Sequence, residues 1–135
     1  MSPSLIPSDV AAFVAAASRL PLTALQEIRH ATAVAVRSGA YDLRAVPKLD
    51  AARFSALDRL VRDAFRPRAE ELRAARPGGA LSSAIGRTTM TAHAIWRRDR
   101  LTADAYATLT GAFPAYGVSV PDHPERPDHP ERPAG

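Results

Sequence analysis

Histidine, acidic pairs and clustered arginine are the residue types in this chain that could carry chemistry. The four histidines are His30, His93, His123 and His129. His123 and His129 stand six apart, beside Asp122 and Asp128, in a proline-rich stretch. That spacing offers His and carboxylate ligands, but a closed metal site needs three or four donors held in fixed geometry. His30 and His93 are isolated. His93 shares a helical face with Thr89, Met90 and Arg97, and an enzyme or ligand binder would need a pocket there lined by His93, Thr89 and Arg97. Glu70 and Glu71 are adjacent, so on a helix they diverge by about 100° and cannot act as a pair. There is no cysteine, hence no thiol nucleophile, disulfide or thiolate site. No phosphate-binding glycine loop, zinc-protease helix or nucleophile elbow is present. The chain reads as non-enzymatic, with no cofactor and no metal.

Arginine suggests a second chemistry. Seventeen of the 18 basic residues are Arg and one is Lys48. Arg87, Arg97, Arg98 and Arg100 are the candidate nucleic-acid contacts, with Ser82 and Ser83 joining them if Ala75, Gly79 and Ile85 mark a helix-turn-helix. Arg53, Arg59, Arg62, Arg66, Arg68, Arg73 and Arg76 form another set, but Asp58, Asp63, Glu70 and Glu71 interleave with them. A phosphate-tracking surface needs a positive field that acids do not cancel. Alanine and arginine excess with scarce lysine and no asparagine fits a GC-rich bacterial genome, which weakens any selective reading of the arginines. Net charge is only +4.

These residues must be positioned by helices. Alanine, the best helix former, supplies 28 of 135 residues. Ser8 and Asp9 open a first helix with Val10, Phe13, Val14 and Ala17 on one face, stopped at Leu20-Pro21. Thr23 and Gln26 have capping-box spacing for a second helix striped by Leu25, Ile28, Thr32, Ala35 and Val36. Tyr41 to Val46 reads as loop. Asp50 caps a third helix whose face is Phe54, Leu57, Leu60, Val61, Ala64 and Phe65. Pro67 must kink or break it, and Leu72 belongs to the piece beyond. Pro77-Gly78-Gly79 separates a fourth helix with Leu81, Ile85, Thr88, Ala92, Ile95 and Trp96. Thr102 caps a fifth, with Tyr106, Leu109 and Phe113 inward.

The fold is therefore all-α: a small bundle of about five helices, the third broken at Pro67, with a disordered proline-rich C-terminal tail. Residues 1–7 are an extended lead-in, 8–116 the bundle, and 117–135 the tail with its tandem Pro-Asp-His-Pro-Glu-Arg repeat. The longest apolar run, Val10 to Ala17, is too short to span a bilayer, and no basic residue precedes it as in a secretory leader. The expected setting is the cytoplasm, with no membrane contact. Large apolar side chains are few, and helices one and two carry alanines on more than one face. The leading functional expectation is action through protein–protein contact, with a distinct partner or as a homodimer. Arg-dependent nucleic-acid binding is the alternative, and an enzyme or ligand-binding site without a motif is the third reading.

Overall fold

The computed structural model describes residues 5–125. Its helices are α1 (Ser8–Ala17), α2 (Leu22–Arg37), α3 (Ala51–Phe65), α4 (Ala69–Ala74), α5 (Ala80–Trp96) and α6 (Ala103–Thr110). A 3-10 turn over Arg66–Arg68 joins α3 to α4, so these two are the halves of the helix expected to break at Pro67. The bundle is thus the predicted five-helix one. No strand occurs among the described residues, and no helix there is long and apolar enough to cross a membrane.

α5 is the central element, packed against all five other helices. A helix so surrounded has room for few large side chains. Ala80, Ala84, Ala92 and Ala94 are buried along it, as are Thr88, Thr89 and Thr91. Alanine here does more than favour helix: on α5 it lets neighbouring backbones approach. Besides Ile95 of α5, the larger core side chains come from the surrounding helices: Phe13 and Val14 of α1, Leu25 and Ile28 of α2, Leu57, Val61 and Phe65 of α3, Leu72 of α4, and Tyr106 and Leu109 of α6. Phe13 meets Phe113, just past α6, edge-on with centroids 4.9 Å apart, a favourable aromatic geometry. Two of the buried threonine hydroxyls return to the preceding turn, Thr32 to the Ile28 carbonyl and Thr110 to that of Tyr106, each at 2.8 Å, while the Thr88 hydroxyl has no partner among the described residues.

The helix starts divide into two kinds. Asp50 accepts a hydrogen bond from the Arg53 backbone N–H at 2.8 Å, and Thr102 from that of Ala105 at 3.1 Å, as their positions before apolar stripes predict. Ser8 and Thr23 do not cap. Pro7 and Pro21, extended at ψ 146° and 156°, occupy the capping positions and make no side-chain cap bond. Gln26 instead donates to the Arg76 carbonyl at 3.4 Å, so the expected capping box is absent. At α5 the turn residue Gly79 has φ 88°, a left-handed conformation that favours glycine.

The break at Pro67 has a positional consequence. It turns Arg68 inward, where its Nη1 donates to the carbonyls of Ser18, at 3.0 Å, and Leu20. Those carbonyls lie at and just past the end of α1, where a cation complements the exposed acceptors. Glu71 accepts from Arg68 Nε at 3.1 Å, and this bond and charge hold the Glu71 carboxyl below its usual range. Arg68 is therefore a helix terminator rather than part of a solvated stripe.

Residues 117–125 differ from the expectation of a tail that begins at 117. Val118 and His123 are buried. His123 Nε2 lies 2.6 Å from the Leu101 carbonyl, and Tyr106 donates its hydroxyl to the Pro121 carbonyl. The first Pro-Asp-His-Pro unit is thus fastened to α6 and to Leu101 just before it, by one hydrogen bond each and a tilted Tyr106–His123 ring contact. Proline lacks a backbone donor but leaves its carbonyl free to accept, so this segment needs no helix or strand to be held. The second repeat, with His129, lies outside the described residues.

Candidate functional site

Phe54 departs from its predicted place. It shares the α3 face of Leu57, Val61 and Phe65, which are fully buried, yet it is 45% exposed. Helical spacing fixes which way a side chain points, not where the covering layer ends. Phe54 sits in the first turn of α3, at the margin of that layer. Val36, placed on the α2 stripe, is likewise 50% exposed near the end of its helix.

Phe54 stands between two clefts. One, of about 360 Å³, runs between α3 and α5 and is lined by Phe54, Asp58 and Arg62 on one side and Ser82, Ile85, Gly86, Thr89, Met90 and His93 on the other. The second, of about 850 Å³, continues under the 43–49 segment, where Leu43, Val46, Pro47, Leu49 and Ala51 make its walls. Leu43, Phe54 and His93 line both, so together they form one mostly apolar groove. The α5 wall from Ser82 to His93 is about 16 Å long at the helical rise, room for about three turns of a docked helix.

The 43–49 segment owes its position to its own side chains. Asp42 accepts from the Arg44 N–H at 3.1 Å and opens a 3-10 turn over Leu43–Ala45. Tyr41 and Val46, on either side, are buried, pinning the stretch that the sequence suggests only as loop. His93 completes the attachment, with Nε2 3.2 Å from the Pro47 carbonyl. Burial pushes the His93 pKa down, the nearby Arg97 charge adds to this, and the carbonyl bond opposes it. The neutral ring with its proton on Nε2 fits that site, edge-on to Phe54 with centroids 6.1 Å apart.

Gly86 lies in the middle of α5 on the groove floor. A Cβ built there meets nothing within 4 Å. Glycine inside a helix is disfavoured by about 1 kcal/mol relative to alanine, and no packing among the described residues requires it. It leaves the groove open at its centre.

Of the four arginines singled out from the sequence, Arg97, Arg98 and Arg100 follow one another in the turn after α5, and Arg87 lies almost three turns earlier on that helix. Arg87 lines a third cleft, of about 390 Å³, with Val36, Tyr41, Asp42, Leu43, Arg44 and Met90. Arg97, almost three turns along α5, lines a polar cleft with Lys48, Asp50, Arg53, Trp96 and Asp99. Arg98 is committed within the fold: one guanidinium nitrogen donates to the Ile95 carbonyl at 2.8 Å and the other to Asp9 at 2.7 Å. Arg100 is exposed beside Asp99. α5, the recognition helix of a helix-turn-helix reading, is the central helix of the bundle. On α3, Arg53 pairs with Asp50, Arg62 with Asp58 and Arg66 with Asp63. Of the grouping Thr89, His93 and Arg97, the first two share the groove and Arg97 does not.

Sequence reasoning missed Tyr41. Its ring is buried, 9% exposed, and its hydroxyl has no hydrogen-bond partner. Thr91 is the polar side chain that acts on it. Burial raises the Tyr41 pKa, which Thr91 and the Arg87 charge partly offset. Arg87 Nε is also buried without a partner. Orphaned groups of this kind cost about 1–3 kcal/mol each. No group of three or more His, Asp or Glu residues able to hold a metal occurs among the described residues. Compared with protein-family models, curated proteins and solved structures, the chain matches none of them.

Proposed function

We propose that the chain is a small helical docking module that acts through protein–protein contact, and that its working surface is the groove around Phe54. The observation that carries this reading is an aromatic side chain half exposed where two apolar clefts meet, above a helix-interior glycine whose open side no described residue fills. Exposed aromatic anchors in apolar grooves are the usual centres of helix-in-groove recognition.

The occupant is an amphipathic helical segment of another protein, apolar on one face and acidic at its flank. Charge selects it. Asp58 and Arg44, which line the groove, are matched by Arg62 and Asp42. Lys48 on the groove, and Arg87 in the adjoining cleft, have no acid within ion-pair distance among the described residues. A two-fold contact between copies would bring this cationic rim toward its own image, whereas an acidic flank complements it.

The test is fluorescence anisotropy with a labelled helical peptide carrying Leu at i, i+4 and i+7 and Glu beside them, against the same peptide with Lys for Glu. The Glu peptide binds and Phe54→Asp abolishes binding. Equal binding of the Lys peptide, or no binding of either, overturns the reading. Concentration-dependent sedimentation that Phe54→Asp removes would assign the groove to a second copy instead.

A further inference from the structure

We infer that the cleft holding Tyr41 and Arg87 is a carboxylate subsite, which takes an acidic side chain of the segment docked in the Phe54 groove. The inference rests on the docking reading and names the chemistry at one end of it. Leu43 and Met90 line both this cleft and the groove, so one ligand can reach both without leaving the surface.

Two polar groups of residues that line the cleft are not satisfied among the described residues, the Tyr41 hydroxyl having only Thr91 beside it. The Tyr41 hydroxyl and Arg87 Nε are buried and unbonded, and such groups in folded proteins call for a ligand or an ordered water. What Arg87 does hold is poor: its Nη1 points at the Met90 thioether, 3.3 Å away. Sulfur is a weak acceptor. Methionine is unbranched and adaptable, so its side chain can yield the guanidinium to a stronger acceptor. A carboxylate is that acceptor, with two oxygens for the guanidinium and a lone pair for a tyrosine hydroxyl.

The charge balance selects a monoanion. Arg44, the other cation on the cleft, is already paired with Asp42 at 3.4 Å, which leaves one uncompensated positive charge. Val36, Leu43 and Met90 supply apolar walls that suit the methylenes of an acidic side chain better than a hydrated phosphate. Tyr41 keeps its proton through the neutral range, since burial moves its pKa upward, so the hydroxyl remains a donor.

The experiment follows the Arg87 Nε–Hε and Tyr41 ring resonances in the intact chain during titration with isovalerate, its neutral analogue isovaleramide, and inorganic phosphate. Isovalerate is expected to shift both saturably with a Kd on the order of 1–10 mM, the range for so small a ligand. Tyr41→Phe weakens it about fivefold and Arg87→Gln abolishes the effect, with thermal midpoints confirming that both variants fold. No saturable shift, an equal response to isovaleramide, or tighter binding of phosphate overturns the assignment. The docking reading fails separately: if isovalerate titrates Arg87 but the Glu-flanked peptide does not bind, the groove is not the docking surface, and the peptide occupant falls with it. If the peptide binds while Arg87 is unmoved by isovalerate, only the subsite is lost.

Discussion

Replacing Gly86 with alanine should stabilise the protein. Its position is helix-interior, its φ is not among the positive ones, and an added Cβ meets nothing within 4 Å. The methyl group brings no clash, and alanine lowers the backbone entropy lost on folding, a gain of about 1 kcal/mol. For a domain of this size that raises the thermal midpoint by about 4 °C, measurable by circular dichroism or calorimetry. Gly111→Ala, at the residue after α6, is a contrasting case. There a Cβ would lie 2.9 Å from the Ala107 carbonyl oxygen, a backbone atom that cannot easily move, so the same substitution should destabilise. The consequence for binding is opposite in sign to that for folding. Alanine at 86 raises the groove floor, and Gly86→Leu should block the docked helix while leaving the chain folded. A lower midpoint for Gly86→Ala would refute the reasoning, because it would mean that the glycine serves packing inside the bundle rather than an open surface.

Other variants separate core from surface. Phe54→Ala should cost less than about 1 kcal/mol by denaturant titration, since Phe54 is half exposed, while Phe65→Ala, fully buried, should cost about 3–5 kcal/mol. Arg98→Ala removes the link from the turn after α5 to Asp9 at the start of α1 and should lower stability by about 1 kcal/mol, because the pair is partly screened. His123→Ala leaves the Leu101 carbonyl without its 2.6 Å partner and should cost about 1–2 kcal/mol, with proteolysis near Val118 accelerated. For His93 the folded pKa lies below the ordinary 6.5, so the unfolded chain takes up the proton first as pH falls. The His93 contribution is fully present above pH 6.5 and declines below it, and the His93→Gln variant should show a flatter stability profile through that range.

The helices were legible because their apolar spacing and their breakers agree. Asp50, Thr102, Pro67 and the Pro77-Gly78-Gly79 turn each act locally, and each is found where local chemistry puts it. Ser8 and Thr23 misled because a preceding proline took the capping position. The groove was not legible. Phe54 has the right period to be core, and only the extent of the packed layer leaves it open. Tyr41 lies in a segment without periodicity, and its orphaned hydroxyl depends on side chains of α5 almost fifty residues away. The role of alanine also changes between the two views. Spread over all helix faces it suggests little but helicity, yet α5 takes five neighbours because most of its buried positions are Ala or Thr. The same smallness, carried to Gly86, opens the groove.

A photocrosslinking amino acid placed at Ser82, on the groove wall, tests the central claim most directly when compared with one at Arg73, on exposed α4. Treated in lysate of the source cells and mapped by mass spectrometry, the Ser82 probe is predicted to give an adduct whose crosslinked peptide is amphipathic and acidic, lost on Phe54→Asp and absent from the Arg73 probe. Adducts formed equally from both positions, or from Ser82 with Phe54→Asp unchanged, would contradict the account.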